Sequence, residues 1–405
     1  MDIESKNLAT IPHSFLIVID DVGWWCGKDQ RYKNGPSRSG LEQRRHVIED
    51  YQAIVALGKS LNMRIKCGFV IGEWDRTNLL AGVRNSNKYG TQWDQASRLD
   101  PAIDEVRDLL NDSSDYLELA IHGLVHMYWN DSGKMQHAEF YQKAADGKGY
   151  IMTPPDIVRE HLDAYFAIYQ QNGFTMDLTS FIPPCFQYIY SPERDQLSAI
   201  LSEYGIFYVS TPYASMGYTS HVKPVDVCVE NGIITVDRTS DLTSWDVVGA
   251  NPPGVIKNSY YGLHWINILN NDVEKNGETV QAWIRYFAQY KHRFDLFVAR
   301  NNAVASSQAL YKKHTKIVVD NDKIVLDFAA VDKQVVSALE PAVYLNVVNE
   351  KVPKPDHTVD LRVYEESEKF TTYQVTRRMP GSVTGKTVLM LSDRQATDRR
   401  SVVNI

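Results

Sequence analysis

The chain has 405 residues, 43% of them hydrophobic and 23% charged, a balance that buries a sizeable core and excludes disorder over most of its length. Its 43 basic and 50 acidic residues leave a formal charge of −7, which argues against a general nucleic-acid binder. No apolar run approaches the length of a membrane span, so no membrane insertion is expected.

Met1-Asp2-Ile3-Glu4-Ser5-Lys6 lacks the basic region and apolar stretch of a secretion signal. Cys26, Cys67, Cys185 and Cys228 are scattered without a Cys-x-x-Cys spacing and read as reduced thiols. A cytoplasmic location is therefore expected. The length suggests two domains or three. An aromatic content of 11% suits either sugar stacking or a large β-rich core.

In chain order, Ser14 to Ile19 is a continuous apolar run, the pattern of a strand buried on both faces. Helical spacing follows over Glu42 to Leu61. Arg64 to Ile71 is strand-like, Pro101 to Leu110 helical, Tyr116 to Ile121 strand-like, and Pro154 to Gln171 helical with prolines at its start. Ser180 to Ile182, Gly205 to Val209 and Gly232 to Val236 continue as strands, with helices over Asp195 to Tyr204 and Thr279 to Tyr290. This alternation predicts parallel βα units closing as a distorted (β/α) barrel over residues 1–305. Beyond it, Lys316–Val319, Lys323–Leu326, Val343–Val348, Leu361–Tyr364, Tyr373–Val375 and Thr387–Met390 are short strands separated by turn residues. They predict an antiparallel β-sandwich over 306–405, with the boundary between residues 300 and 316.

In such a barrel, chemistry sits where strands end. The first strand ends in Asp20-Asp21. Neighbouring strand residues point to opposite faces, so both carboxylates reach one pocket only if the chain bends, and Gly23 would permit that. The third ends in His122-Gly123-Leu124-Val125-His126, two imidazoles that can bind one metal from a helix face or a tight turn. Two imidazoles and a carboxylate form a catalytic metal set that leaves room for water and substrate. Leu263-His264 places a third histidine late in the chain. Trp24, Trp25, Glu73, Trp74, Tyr128, Trp129 and Trp245 are aromatic or acidic residues near these ends, suited to sugar contacts or to loop packing. His13, His46, His137, His161 and His221 have no evident partner and read as structural. No phosphate-binding glycine loop or nucleophile elbow is present.

Taken in order, Asp20-Asp21, His122-x-x-x-His126 and Leu263-His264 resemble the motifs of the polysaccharide deacetylase (NodB-homology) family over residues 12 to 300. The longer gap between the first two implies an insertion at Glu73 to Arg98. The resemblance implies that Asp21, His122 and His126 hold a divalent cation, zinc by preference with cobalt or nickel as alternatives. It implies Asp20 as general base and His264 as general acid, acting on a small-molecule or oligosaccharide substrate in carbohydrate metabolism or surface-polysaccharide synthesis. The family's Arg-x-Pro-(Tyr or Phe) motif is altered here. With Pro184 as its proline, Ile182 replaces the arginine and Cys185 supplies the oxyanion N–H; alignment on Pro183 would put N–H-less Pro184 at the donor position. Arg238 is the candidate replacement for the arginine, in a stretch ending at Trp245-Asp246 that resembles the fourth motif loosely. Two alternatives stay open: a hydrolase of this barrel acting on another amide or a glycosidic bond, and a carbohydrate-binding protein with a degenerate site.

Overall fold

The apolar run beginning after His13 occupies the middle of the largest sheet. The computed structural model describes residues 8–25, 41, 44–135, 138–144, 148–191, 196–238, 243–252, 260–320, 322–378 and 385–394. Strand β1 (His13–Val22) has neighbours on both edges, and Phe15 to Ile19 are all buried. The strands that follow are β2 (Ile65–Phe69), β3 (Leu117–Ile121), β4 (Ser180–Phe181), β5 (Tyr208–Thr211), β6 (Val227–Glu230), β7 (Ile233–Asp237), β8 (Tyr260–His264) and β9 (Leu296–Val298). They form one sheet in the order β6-β7-β5-β4-β3-β2-β1-β8. Every pairing is parallel except β6 with β7. The N-terminal end of β1 also pairs with β9. Parallel neighbours require crossovers, supplied by α1 (Ile48–Leu61), α2 (Ile103–Asp112), α3 (Pro155–Asn172), α4 (Leu197–Glu203) and α5 (Asn276–Ala288). Helix α3 opens on Pro155 and ends at Gly173 with φ 72°, the asymmetry that its prolines predict.

The mixed α/β architecture and the parallel order agree with the sequence pattern. The ring does not close by hydrogen bonds: among the described residues β7 and β8 do not pair, so the sheet keeps two ends. The parallel direction brings the C-terminal ends of β1, β2, β3 and β8 to one rim, and this positions the candidate site.

The second half holds β10 (Lys316–Val319), β11 (Lys323–Asp327), β12 (Ala342–Val348), β13 (Lys351–Pro355), β14 (Val359–Glu366), β15 (Phe370–Arg377) and β16 (Lys386–Asp393). They make two four-stranded antiparallel sheets, β10-β11-β16-β13 and one in which the short strand Ala9–Thr10 joins β12, β15 and β14. Leu326 and Leu389 from the first share a buried cluster with Leu345 and Val375 from the second. The expected boundary lies at 305/306. It falls inside α6 (Asn302–His314), and the first described strand belongs to the second set of sheets. Helix α6 lies between the two sets. Its fully buried Gln308 donates to the carbonyls of Pro12 and Tyr344 (both 3.0 Å) and accepts the Tyr344 N–H at 2.9 Å. None of the described helices is long and apolar enough to cross a membrane.

Gln308→Leu keeps the volume but leaves a buried backbone N–H and two carbonyls without partners. The expected loss is about 2–4 kcal/mol of stability, read as a lower midpoint in urea, with no change at the strand-end rim.

Candidate metal centre

Between Ile19 and Val22 the register of β1 against β2 slips: three steps along β1 face two along β2, from Cys67 to Phe69. The extra residue is a β-bulge, and Asp21 takes the left-handed φ of 64° inside it. The bend that lets adjacent carboxylates share a pocket thus begins at Asp21 itself and continues through Gly23. Both aspartates are buried, at 0% and 3% exposure.

The two histidines lie on a tight turn, not a helix face. His122 leaves β3 with its N–H on the Phe69 carbonyl, and His126 has φ 67°. The His122 Nδ1 lies 2.8 Å from the Ile182 carbonyl. A carbonyl only accepts, so Nδ1 carries the hydrogen and Nε2 presents its lone pair. That Nε2 stands 3.4 Å from Asp21 Oδ1, and the His126 Nε2 stands 3.5 Å from the same oxygen. These separations are long for hydrogen bonds, yet match the ~3.4 Å edge of a tetrahedron with zinc-like bond lengths. Asp21 Oδ1 is buried with no hydrogen-bond partner, and the three ligand atoms lie within 4.8 Å of one another. The donor set therefore fits a divalent cation.

His264 approaches from the other side. It sits opposite Asp20 in the β8–β1 register, with Nε2 3.8 Å from Asp21 Oδ2. Burial pushes the Asp21 carboxyl up, but the imidazoles of His126, His122 and His264 override it and hold the group well below the usual carboxylate range. Burial lowers His122, but Asp21 and Asp20 outweigh it and raise it above the usual imidazole value.

Arg238 reaches Asp20 from the end of β7. Its Nη1 lies 2.8 Å from Oδ1 and 2.7 Å from Oδ2, both side chains being fully buried, and its guanidinium sits 4.8 Å above the Phe186 ring. Phe186 also presents its ring to His264 at 6.2 Å. Cys185 precedes it at φ 54°, on a loop where Cys185 and Phe186 are both left-handed. Ile182, expected at the arginine position of the altered motif, packs its side chain in the core beside Gly68, and its carbonyl orients His122.

The sequence signalled nothing at Glu139, Phe186 or Gly68, and took His161 as merely structural. Glu139 is fully buried and accepts the N–H groups of Leu124 and Val125, both at 3.0 Å, so it shapes the turn between the two histidines. It also accepts from His161 Nδ1 at 2.9 Å. Gly68 matters by what it lacks: a Cβ there would lie 3.1 Å from the His122 ring and 3.3 Å from Asp20 Oδ1.

The aromatic candidates need correction. Trp24, Trp25, Glu73 and Trp74 are all buried and offer no open face to a substrate. Trp25 and Trp74 pack at 5.2 Å in a cluster with Tyr51, Phe69 and Phe174. Trp74 Nε1 donates to the Gly23 carbonyl and Glu73 accepts the Trp25 N–H, so both brace the segment after the aspartates. Trp245 is 42% exposed. Cys26 lies outside the described residues.

Two results follow. Gly68→Ala should displace the His122 ring by a few tenths of an ångström and weaken metal binding about 10-fold, measured by chelator competition, with folding retained. A proton and a metal compete for the same His122 Nε2 lone pair, and because His122 is raised this competition begins above the usual imidazole range. Apparent metal affinity should therefore fall progressively as pH drops into and through that range; a flat profile down to about pH 5 would remove His122 from the ligand set.

No family model matches the chain, and no curated protein matches it. A solved crystal structure from Mycobacterium smegmatis, described as a "putative polysaccharide deacetylase", is similar to 79% of this chain over 96% of its own length, at 11% identity and a TM-score of 0.40.

Proposed function

We propose that the chain is a metal-dependent hydrolase that removes the acetyl group from an N-acetylated sugar. Asp21, His122 and His126 would hold the cation, zinc before cobalt or nickel. The observation that carries the reading is the buried, unpartnered Asp21 Oδ1 at near-equal distance from two imidazole nitrogens, one of them oriented by a backbone carbonyl. The sugar enters through the resemblance of the three motifs to the deacetylase family.

A bound divalent cation supplies Lewis acidity toward a carbonyl and makes water a better nucleophile near neutral pH. Asp20 is the proton acceptor. Arg238 touches both of its oxygens, so the carboxylate is fixed in orientation before it takes a proton from the attacking water. Arg238 does for Asp20 what the absent motif arginine would do, from a different strand end. His264, beside the opposite oxygen of Asp21, is the proton donor, because an amine leaves badly as an anion. The Cys185 N–H is the proposed oxyanion donor.

The test contrasts two variants on a panel of N-acetylated sugars, with acetate release and metal content measured together. Asp20→Asn should keep its metal while turnover falls ~10²–10⁴-fold, since the base is not a ligand. His126→Ala should lose both. Metal loss in Asp20→Asn, or full activity in His126→Ala, would refute these roles; no acetate from any sugar despite bound metal would refute the reaction.

A further inference from the structure

The chain on either side of His126 is held by residues outside the histidine motif. On one side Glu139 accepts the N–H groups of Leu124 and Val125. On the other, the Met127 N–H donates to the Val125 carbonyl at 2.7 Å, closing a three-residue turn with His126 at its centre. The φ of 67° there matches the rarer form of that turn, an unfavourable place for a residue with a side chain and kept only where its surroundings impose it.

The turn fixes the His126 backbone and leaves two choices open in the ring. A half-turn about the Cβ–Cγ bond exchanges Nε2 with Cε1, and either ring nitrogen can carry the hydrogen. One combination alone turns a bare Nε2 toward Asp21. A metal-binding imidazole ordinarily has this settled by an oxygen that accepts its second N–H, and His122 follows that rule with the Ile182 carbonyl at 2.8 Å. His126 departs from it: its Nδ1 faces the Met127 sulfur at 3.2 Å. A thioether has no hydrogen to give, so the ring nitrogen is the donor. Met127 is itself buried, and close packing holds the sulfur in place.

We propose that Met127 is a positioning residue of the metal centre, its thioether fixing both the rotation and the tautomer of His126; the inference rests on the metal-dependent reading of the site. The rings of His122 and His126 meet edge to face at 4.9 Å, and with both Nδ1 atoms engaged, both Nε2 atoms are presented to Asp21 Oδ1. The two acceptors are unequal. A carbonyl is a strong acceptor and a thioether a weak one, so His126 is the ligand whose orientation is the more easily lost. Met127 thus serves twice, its N–H closing the turn and its side chain setting the ring. The residue that follows the histidine pair, which the His-x-x-x-His spacing leaves unspecified, decides how the second imidazole is presented.

The test reads the ring directly. Nitrogen NMR on the zinc-loaded full chain, isotopically labelled at histidine, should show His126 bound through Nε2 with hydrogen on Nδ1. Zinc on Nδ1, or no zinc bound, would overturn the proposal. Chelator competition then compares two substitutions. Met127→Leu keeps the shape and removes the acceptor: zinc affinity should fall about tenfold and the His126 Nδ1 hydrogen should exchange faster with water, with the His122 signal unchanged. Met127→Gln supplies a carbonyl oxygen in a side chain of similar length and should restore the affinity. Wild-type affinity in Met127→Leu, or equal loss in both variants, would reduce Met127 to packing. Should Met127→Gln not fold, the wild-type spectrum and Met127→Leu decide. Acetate release separates the two readings. The expected zinc results without acetate from any N-acetylated sugar leave Met127 in its role and remove the deacetylase. Acetate release together with wild-type zinc affinity in Met127→Leu removes the role of Met127 alone.

Discussion

The rest of the site depends on one extra residue in β1. Without the bulge, Asp20 and Asp21 would alternate across the sheet, one toward the strand-end pocket and one toward the helices outside. With it, both carboxylates are buried at one rim, each with different company: Asp20 with Arg238, Asp21 with three imidazoles. Burying two adjacent carboxylates is costly unless each meets positive charge or a cation. The structure meets that requirement by bringing residues from β7, from the turn after β3 and from the end of β8 to a single point. Arg238 is the stabilising partner for one aspartate; the other is poised for an ion.

The polar character continues below the rim. Lys66 is fully buried on β2, donating to Ser210 and Asn302 at 3.1 and 3.3 Å, and burial pushes its ammonium down to about 7 despite the opposing pull of Glu118. Glu118, next to it in the β3 register, accepts the Asn302 N–H at the start of α6. A file of polar side chains thus runs through the sheet at this point: Glu118, Lys66, Asp20, Arg238. A sheet interior filled this way has little freedom to slip, since a shift of one residue would strand a buried charge.

Legibility in the sequence follows the physics of each element. β1, β2 and β3 were plain because strands buried on both faces are continuous apolar runs, and the five strand-end residues of the site followed from reading what terminates them. Other elements lacked such a signal. α6 packs between two sets of sheets, so both sides of Asn302–His314 are covered and its buried Ser306, Ser307 and Gln308 blur any amphipathic period. β13 carries Pro353 and Pro355, which argue against a strand and are tolerated because it is an edge. The β6–β7 hairpin is carried by a local signal: Asn231-Gly232, with φ 49° and 80°, is the favoured two-residue turn between Val-rich stretches. Arg238 could be nominated from sequence but not located, since its partner lies 218 positions away. The tryptophans misled because indole faces suit both sugars and cores.

The histidine turn shows why side chains outside the motifs matter. His161 Nδ1 faces the Glu139 carboxylate and its Nε2 faces the Arg84 carbonyl at 2.7 Å. Both are acceptors, so the ring carries both protons and is an imidazolium. Burial alone would lower it, but the Glu139 carboxylate outweighs that and raises it above the usual value. Glu139 accepts two backbone N–H groups from the turn, and Gly123 makes room for that approach, since a Cβ there would collide with the carboxylate. A continuous line of hydrogen bonds therefore runs from the insertion, through Arg84, His161 and Glu139, to the backbone between His122 and His126. The insertion and the turn that positions two candidate ligands are thus joined in one hydrogen-bonded unit.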